Sequence, residues 1–476
     1  MQIAAGQLAY DRSKVTPGIV HLGVGAFHRA HLAKYVDSIL STDPTWGIIG
    51  ASLRRPDTRN ALQKQDFLYT LVEHSEGHTT TRVIGSVLDV LDVNTQRSQL
   101  LETMADPRIR IVSLTVTEKG YCHDPATGKL DASHSDVVHD LAEPDQPVSV
   151  PGLIVKALEL RRAAGIPPFT VLSCDNLPSN GATTARIVIG FAALRSAGIE
   201  SYIKEHVAFP STMVDRIVPA TTEEDRKLVL SQTGFHDAWP VVTEPFSQWV
   251  VEDHFPSGRP PLEQAGVEFV EDVAPFELMK LRMLNGSHST LAYLGYLAGY
   301  EYVNQVVADP AFRNIAYRLM TEEAIPTLPM AEEVLHQYRD ALLARFANPA
   351  LKHRTWQIAM DGSQKLPQRL LGTIRDQLAD GRSIECTALG VAAWMRYVTG
   401  VDERGQSIDV RDPMVERLSL VSKTANGDPA KLVDDLLGVA DVFGNDLPNN
   451  HRFRALLLKH VSSFFKHGVK KSIGDL

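Results

Sequence analysis

Cysteine is scarce: Cys122, Cys174 and Cys386 are the three in a chain of 476 residues. Scattered and odd in number, they argue against a disulfide framework and a multi-cysteine zinc site. No apolar run approaches the ~18 residues of a membrane span. Positive charge is not in excess either. Lys and Arg number 48 against 57 Asp and Glu, a formal net charge of −9. The bulk basic field of a nucleic-acid or anionic-membrane binder is therefore missing, although a local cationic pocket is compatible with this balance. The opening MQIAAGQLAYDRSK has no basic stretch followed by a long apolar one. No export signal is expected, and the expected location is the cytoplasm. No fixed-period repeat supports a solenoid. No G-x-S-x-G elbow and no G-x-x-x-x-G-K-[ST] loop supports a hydrolase or a P-loop enzyme.

What is there is ordinary for a globular protein: 44 % hydrophobic and 22 % charged residues. This excludes wholesale disorder, collagen and a coiled-coil rod. At ~100–200 residues per domain the length allows two or three domains. The first half alternates strand-like runs (18–25, 46–53, 108–121, 168–176) with helix-like ones (27–40, 151–165, 181–198). That alternation predicts a parallel α/β sheet. From residue 275 onward long helical patterns dominate. The Pro- and Gly-dense segment 254–266 separates the halves, which places the boundary near 270. The expected class is α/β, with a Rossmann-type domain over 1–270 and a mostly α-helical domain over 271–476.

Gly23-Val24-Gly25-Ala26-Phe27-His28 ends the first strand and opens a helix. Glycines let the backbone approach a pyrophosphate, and a helix start offers free N–H groups. His28 stands where the usual fingerprint has its third glycine. His28, Arg29 and His31 could reach phosphate, or be solvated helix residues. After the second strand, Arg54 and Arg55 would suit a 2′-phosphate and Asp57 a free ribose hydroxyl. NAD and NADP both stay open on these residues.

The stretch 276–288, FELMKLRMLNGSH, sets polar residues into an otherwise apolar helix. At ~100° per residue, Glu277, Lys280, Asn285 and His288 share an arc of about 140°. Burying these groups together is costly unless they are satisfied or used. A desolvated Lys can exchange a proton near neutrality. Asn285 can polarise a carbonyl, and His288 can fix a hydroxyl. The structural alternative is a Lys–Glu pair beside an Asn–His hydrogen bond. Asn176 ends a strand where α/β sheets border their ligand, or makes an Asx turn. Asp215 could bind a substrate hydroxyl or serve a turn or salt bridge. The set suits hydride transfer with lysine acid/base chemistry, and no metal is expected because the histidines lack an evident Cys or carboxylate cluster.

The segments HLGVGAFHRAH, SLTVTEKGY, SCDNLPSNG, MVDRIVPAT, EPFSQWVVED, KLRMLNGSH and HRTWQIAMDGSQKLPQRLL, spread over residues 21–371, resemble the long-chain polyol-specific (mannitol) dehydrogenase/reductase family. The resemblance implies a metal-independent NAD enzyme acting on a sugar acid or polyol, in a family whose members are often monomeric. It implies Lys280 as general acid/base, Asn176 and Asn285 as an oxyanion-type clamp, and His288 as the orienting residue. Asp215 matches a substrate-binding aspartate, and Glu277 a glutamate that exchanges protons with solvent. Two positions depart from mannitol dehydrogenases: Lys119 stands where they carry Gly, and Gln357 where they carry Arg. The pattern lies nearest the branch that interconverts fructuronate and mannonate. An acid substrate needs a cation in its pocket. Lys119 is the first candidate, or a plain loop lysine, with Arg354 and Lys365 behind it. A neutral-polyol dehydrogenase, acting on mannitol or arabinitol, is the alternative.

Overall fold

The structure is a computed structural model that describes residues 8–75, 77–124 and 127–474. Residues 1–7, part of the stretch read for an export signal, lie outside them. The chain divides into two compact units, Met1–Ala274 and Pro275–Leu476, four residues beyond the boundary expected from the sequence. Among the described residues no helix is long and apolar enough to cross a membrane.

The first unit is built on five parallel strands, in spatial order Val87–Asp92, Gly47–Ser52, Pro17–Leu22, Ile111–Leu114 and Thr170–Ser173. Counted along the chain these five run 3-2-1-4-5, the doubly wound order. Their apolar residues are buried on both faces. Val20, Leu22, Val112 and Leu114 enter one core, and Ile19, Ile111 and Leu172 the other. That two-sided burial is why these strands read as continuous apolar runs. Strand order reverses between Pro17–Leu22 and Ile111–Leu114, so the ligand crevice of such a sheet lies beyond their carboxyl ends.

Several expected elements are shorter or broken. The helix expected over 27–40 is interrupted at His31 (φ −116°, ψ −92°) and becomes Ala26–Ala30 and Leu32–Ile39. The strand expected over 108–121 keeps only Ile111–Leu114, because Thr117 takes φ +63° and turns the chain out of the sheet. A hairpin, Tyr69–Ser75 with His78–Ile84, lies between the second and third sheet strands and pairs with Val241–Thr243 in a separate small sheet.

The second unit is helical. Its buried centre includes the helices Gly286–Leu297 and Glu385–Tyr397, which pack on each other. Three wide turns with π-helical pairing interrupt the helices, at Lys280–Asn285, Leu319–Ala324 and Pro367–Leu371. The first packs against both others. Such turns are rare and recur at functional sites.

Candidate active site

In the first unit the glycine turn follows the first strand directly. Gly23 sits at φ +97°, and a Cβ there would lie 2.2 Å from the Thr115 carbonyl oxygen. Only glycine fits. Gly23→Ala should destabilise the protein by more than about 3 kcal/mol, combining positive-φ strain with a backbone clash. Denaturant unfolding checks this, and a wild-type midpoint would contradict it. At Gly25, by contrast, a Cβ would meet no described atom within 4 Å. One glycine allows the turn and the other leaves open space above it, which fits a pyrophosphate held by backbone N–H groups.

The side chains around this turn point elsewhere. His28 is fully buried and stacks on His21, with centroids 3.6 Å apart, and neither ring nitrogen has a hydrogen-bond partner among the described residues. Burial holds its pKa well below the usual range, so it is neutral. Arg29 is buried over the Tyr69 ring and donates to the Trp239 carbonyl. His31 Nε2 lies 3.1 Å from the Gln248 carbonyl oxygen. Ala26 and Phe27 are half-buried, and Phe27 stacks on His31. The turn therefore exposes backbone rather than the side chains of His28 or Arg29. Arg54, Arg55 and Asp57 are all exposed beyond the second strand.

Asn176 is exposed just past the carboxyl end of Thr170–Ser173. Its neighbour Asp175, which the sequence did not single out, organises the adjoining loop. Its carboxylate accepts from Val116 N–H at 2.9 Å, Thr117 N–H at 3.0 Å and the Tyr121 hydroxyl at 2.8 Å. Burial nevertheless raises its pKa. This anchor holds the turn Glu118–Tyr121, on which Lys119 is exposed. Asp215 is buried at the end of Thr212–Asp215, opposite Gln248 in the sheet register.

Sequence spacing also missed one set of metal-type donors. Ligand atoms of Cys122, His134 and Asp136 all lie within 4.8 Å of one another. Burial pushes the Cys122 thiol up to about 12, and His134 Nδ1 already accepts from Asp136 N–H at 3.2 Å. The cluster is thus not a ready thiolate site.

In the second unit, Lys280 and Asn285 are the first and last residues of the π-type turn. Pairing five residues apart widens the helix, so residues five apart come round to a similar side. In a regular α-helix they would diverge by the ~140° counted from spacing. Both are half-buried, as is Glu277 in the preceding turn, while His288 is buried. The His288 ring stacks on Phe346 at 5.4 Å and meets His353 edge-on at 4.6 Å. Desolvation, then the nearby His353 and the charges of Arg369, Arg345 and Lys365, keep His288 well below its ordinary pKa. It is a neutral imidazole.

Of the other expected cations, Lys365 is half-buried, donating to the Met360 carbonyl at 2.6 Å and lying 3.7 Å from Asp361. Arg354 does not join it. A bridge between Tyr302 and Arg354 fixes an extended backbone there, and Arg354 is exposed beside Glu301 at 3.6 Å. Its neighbour His353 is the residue that turns to His288, since successive side chains of extended chain point to opposite sides.

Burial also sets an acid limit. His353 is lowered to about 4 by desolvation, and His460 likewise to about 4. The unfolded chain therefore binds more protons than the folded one below the ordinary histidine value of about 6.5. The melting temperature should fall as pH drops from about 6.5 towards 4. A melting temperature independent of pH in that window would contradict this burial.

Residues 17–264 match the mannitol dehydrogenase Rossmann domain, and residues 272–464 the mannitol dehydrogenase C-terminal domain. The chain belongs to the mannitol dehydrogenase family. It is an oxidoreductase with that family's two-part architecture. Among its relatives in Escherichia coli (strain K12), the uncharacterized oxidoreductase YeiQ is 50 % identical, covering 93 % of this chain and 91 % of the relative. The D-mannonate oxidoreductase of the same organism is 47 % identical, over 98 % and 97 %. A solved structure, Pseudomonas fluorescens mannitol 2-dehydrogenase in ternary complex with NAD and D-mannitol, is 42 % identical. It covers 100 % of this chain and 99 % of its own, with a TM-score of 0.86.

Proposed function

We propose that this family member interconverts a keto-uronate and an aldonate, D-fructuronate and D-mannonate, by hydride transfer without a metal. The observation that carries the chemistry is the π-type turn that bears Lys280 and Asn285, with neutral His288 one turn beyond. The similarity to a D-mannonate oxidoreductase supports the acid substrate. NAD is the cofactor, and when bound it would supply the acceptor for the hydride of the carbinol carbon. Lys280, in its neutral form, takes the hydroxyl proton. Asn285 donates to the oxygen as it becomes an alkoxide. Neutral His288 orients a hydroxyl, and Glu277 passes the proton on to solvent.

Oxidation should speed up with rising pH as Lys280 loses its proton. His288 is neutral throughout the working range and adds no step of its own. A flat profile, with chemistry shown to limit the rate by a deuterium isotope effect, would contradict lysine as base. The second reading is a neutral-polyol dehydrogenase. The 42 % identical neighbour solved with D-mannitol favours it, and the same catalytic residues would serve. Side-by-side initial rates with mannonate and mannitol separate the two.

A further inference from the structure

The helix that carries Lys280, Asn285 and His288 is met on one side by the π-type turn Pro367–Leu371. The approach is close. A Cβ on Gly286 would lie 2.8 Å from the Arg369 carbonyl oxygen, so only a glycine lets the two backbones come together. Arg369 then reaches along the helix and donates from Nη1 to Ser289 Oγ at 3.0 Å, one residue past His288. Lys365 stands four residues earlier on the same segment, and Arg345 is buried in the helix Glu332–Ala347 just before Phe346, whose ring stacks on His288.

Arg369, Arg345 and Lys365 therefore bring positive charge towards one neutral imidazole. The nearby carboxylates are mostly engaged. Asp361 lies 3.7 Å from Lys365, and Asp412 accepts from Ser363 through both its N–H and its hydroxyl. Burial penalises the charge on Arg369 and lowers its pKa, yet a guanidinium stays protonated. A cation held in a desolvated place beside a substrate-orienting histidine is the setting in which a carboxylate is bound strongly, and guanidinium offers it a two-pronged donor. A neutral polyol has no use for that charge.

We propose that Arg369, supported by Lys365, binds the carboxylate of a sugar-acid substrate beside His288. This assignment rests on the keto-uronate reading above and names the residue that would enforce it. It also moves the acid-recognising charge away from exposed Lys119 and from Arg354, which faces Glu301.

The test uses the purified full-length protein with NAD, and measures kcat/KM for mannonate and for mannitol in wild type, Arg369→Met and Arg369→Lys. Folding is checked by thermal melts and NAD affinity by titration. Arg369→Met should lower the acid-to-polyol ratio of kcat/KM by about 100-fold, mainly through the KM of the acid, as expected for loss of a charge-assisted pair. Arg369→Lys keeps the charge but loses the fork, and should recover part of that ratio. If Arg369→Met does not fold, Arg369→Lys decides alone, with an expected fall of roughly tenfold. An unchanged ratio in a folded variant, with both substrates losing equally, would show a structural arginine and overturn the proposal. So would weakened NAD binding with an unchanged ratio, which would place the charge on the cofactor. If wild type turns over no sugar acid, the keto-uronate reading fails and this assignment falls with it. If wild type prefers the acid and the ratio does not move, the arginine assignment alone fails.

Discussion

Lys280→Ala should lower kcat for sugar-acid oxidation by ~10²–10⁴-fold, the usual range for removing a general acid/base. NAD affinity should hardly change. Lys280 opens a π-type turn in the second unit, whereas the glycine turn and the parallel sheet that suit the dinucleotide belong to the first unit. Deleting the amine removes the proton acceptor without touching the Gly23 and Gly25 backbone. The loss should also change the pH profile, since the remaining turnover no longer depends on lysine ionisation. Single-turnover rates with fluorescence titration of NAD separate the two effects. Wild-type turnover in a folded Lys280→Ala protein would remove the lysine from the chemistry, and an equal loss of NAD binding would make it a structural residue.

Asn285→Ala should raise the barrier by ~2.7–4 kcal/mol, the cost of losing one donor to a developing oxyanion. Asn285 closes the turn that Lys280 opens, so both groups belong to one short piece of backbone. Groups that act as a unit on one transition state are not additive. The double variant Lys280→Ala/Asn285→Ala should therefore lose much less than the product of the two single losses. Full multiplicativity would show two independent roles. Asn285→Asp is a harsher probe than Ala, because an acceptor then faces the alkoxide, and it should be at least as slow.

Much of this was legible in the residues. Four of the five sheet strands followed from apolar runs punctuated by glycine, because strands buried on both faces must be apolar along their whole length; Val87–Asp92 was not among them. The helix of Glu277, Lys280, Asn285 and His288 stood out because polar groups in an apolar stretch need a reason. Four things were not legible. The π-type widening at Lys280–Asn285 packs against Pro367–Leu371 and Leu319–Ala324, which are remote in sequence, and no local pattern announces it. The burial of His28 and Arg29 was not legible, because the break at His31 and the stacking on His21 turn those side chains inward, and no local pattern shows that. The directions of the cations were not legible either. Arg354 was placed beside Lys365 as a candidate, whereas the bridge to Tyr302 leaves it exposed beside Glu301, and Arg369 was not singled out although its backbone meets Gly286. Asp175 was passed over for Asn176 although it holds the loop that carries Lys119, since its three hydrogen bonds reach across to another strand's end.

The most direct measurement is initial-rate oxidation of mannonate, altronate, mannitol and arabinitol by the purified protein at one pH, each with NAD and with NADP. A keto-uronate/aldonate enzyme should favour mannonate with NAD over every neutral polyol in kcat/KM. Efficient oxidation of mannitol with no turnover of mannonate would contradict it, and would leave the Lys280 helix serving a neutral-polyol dehydrogenase.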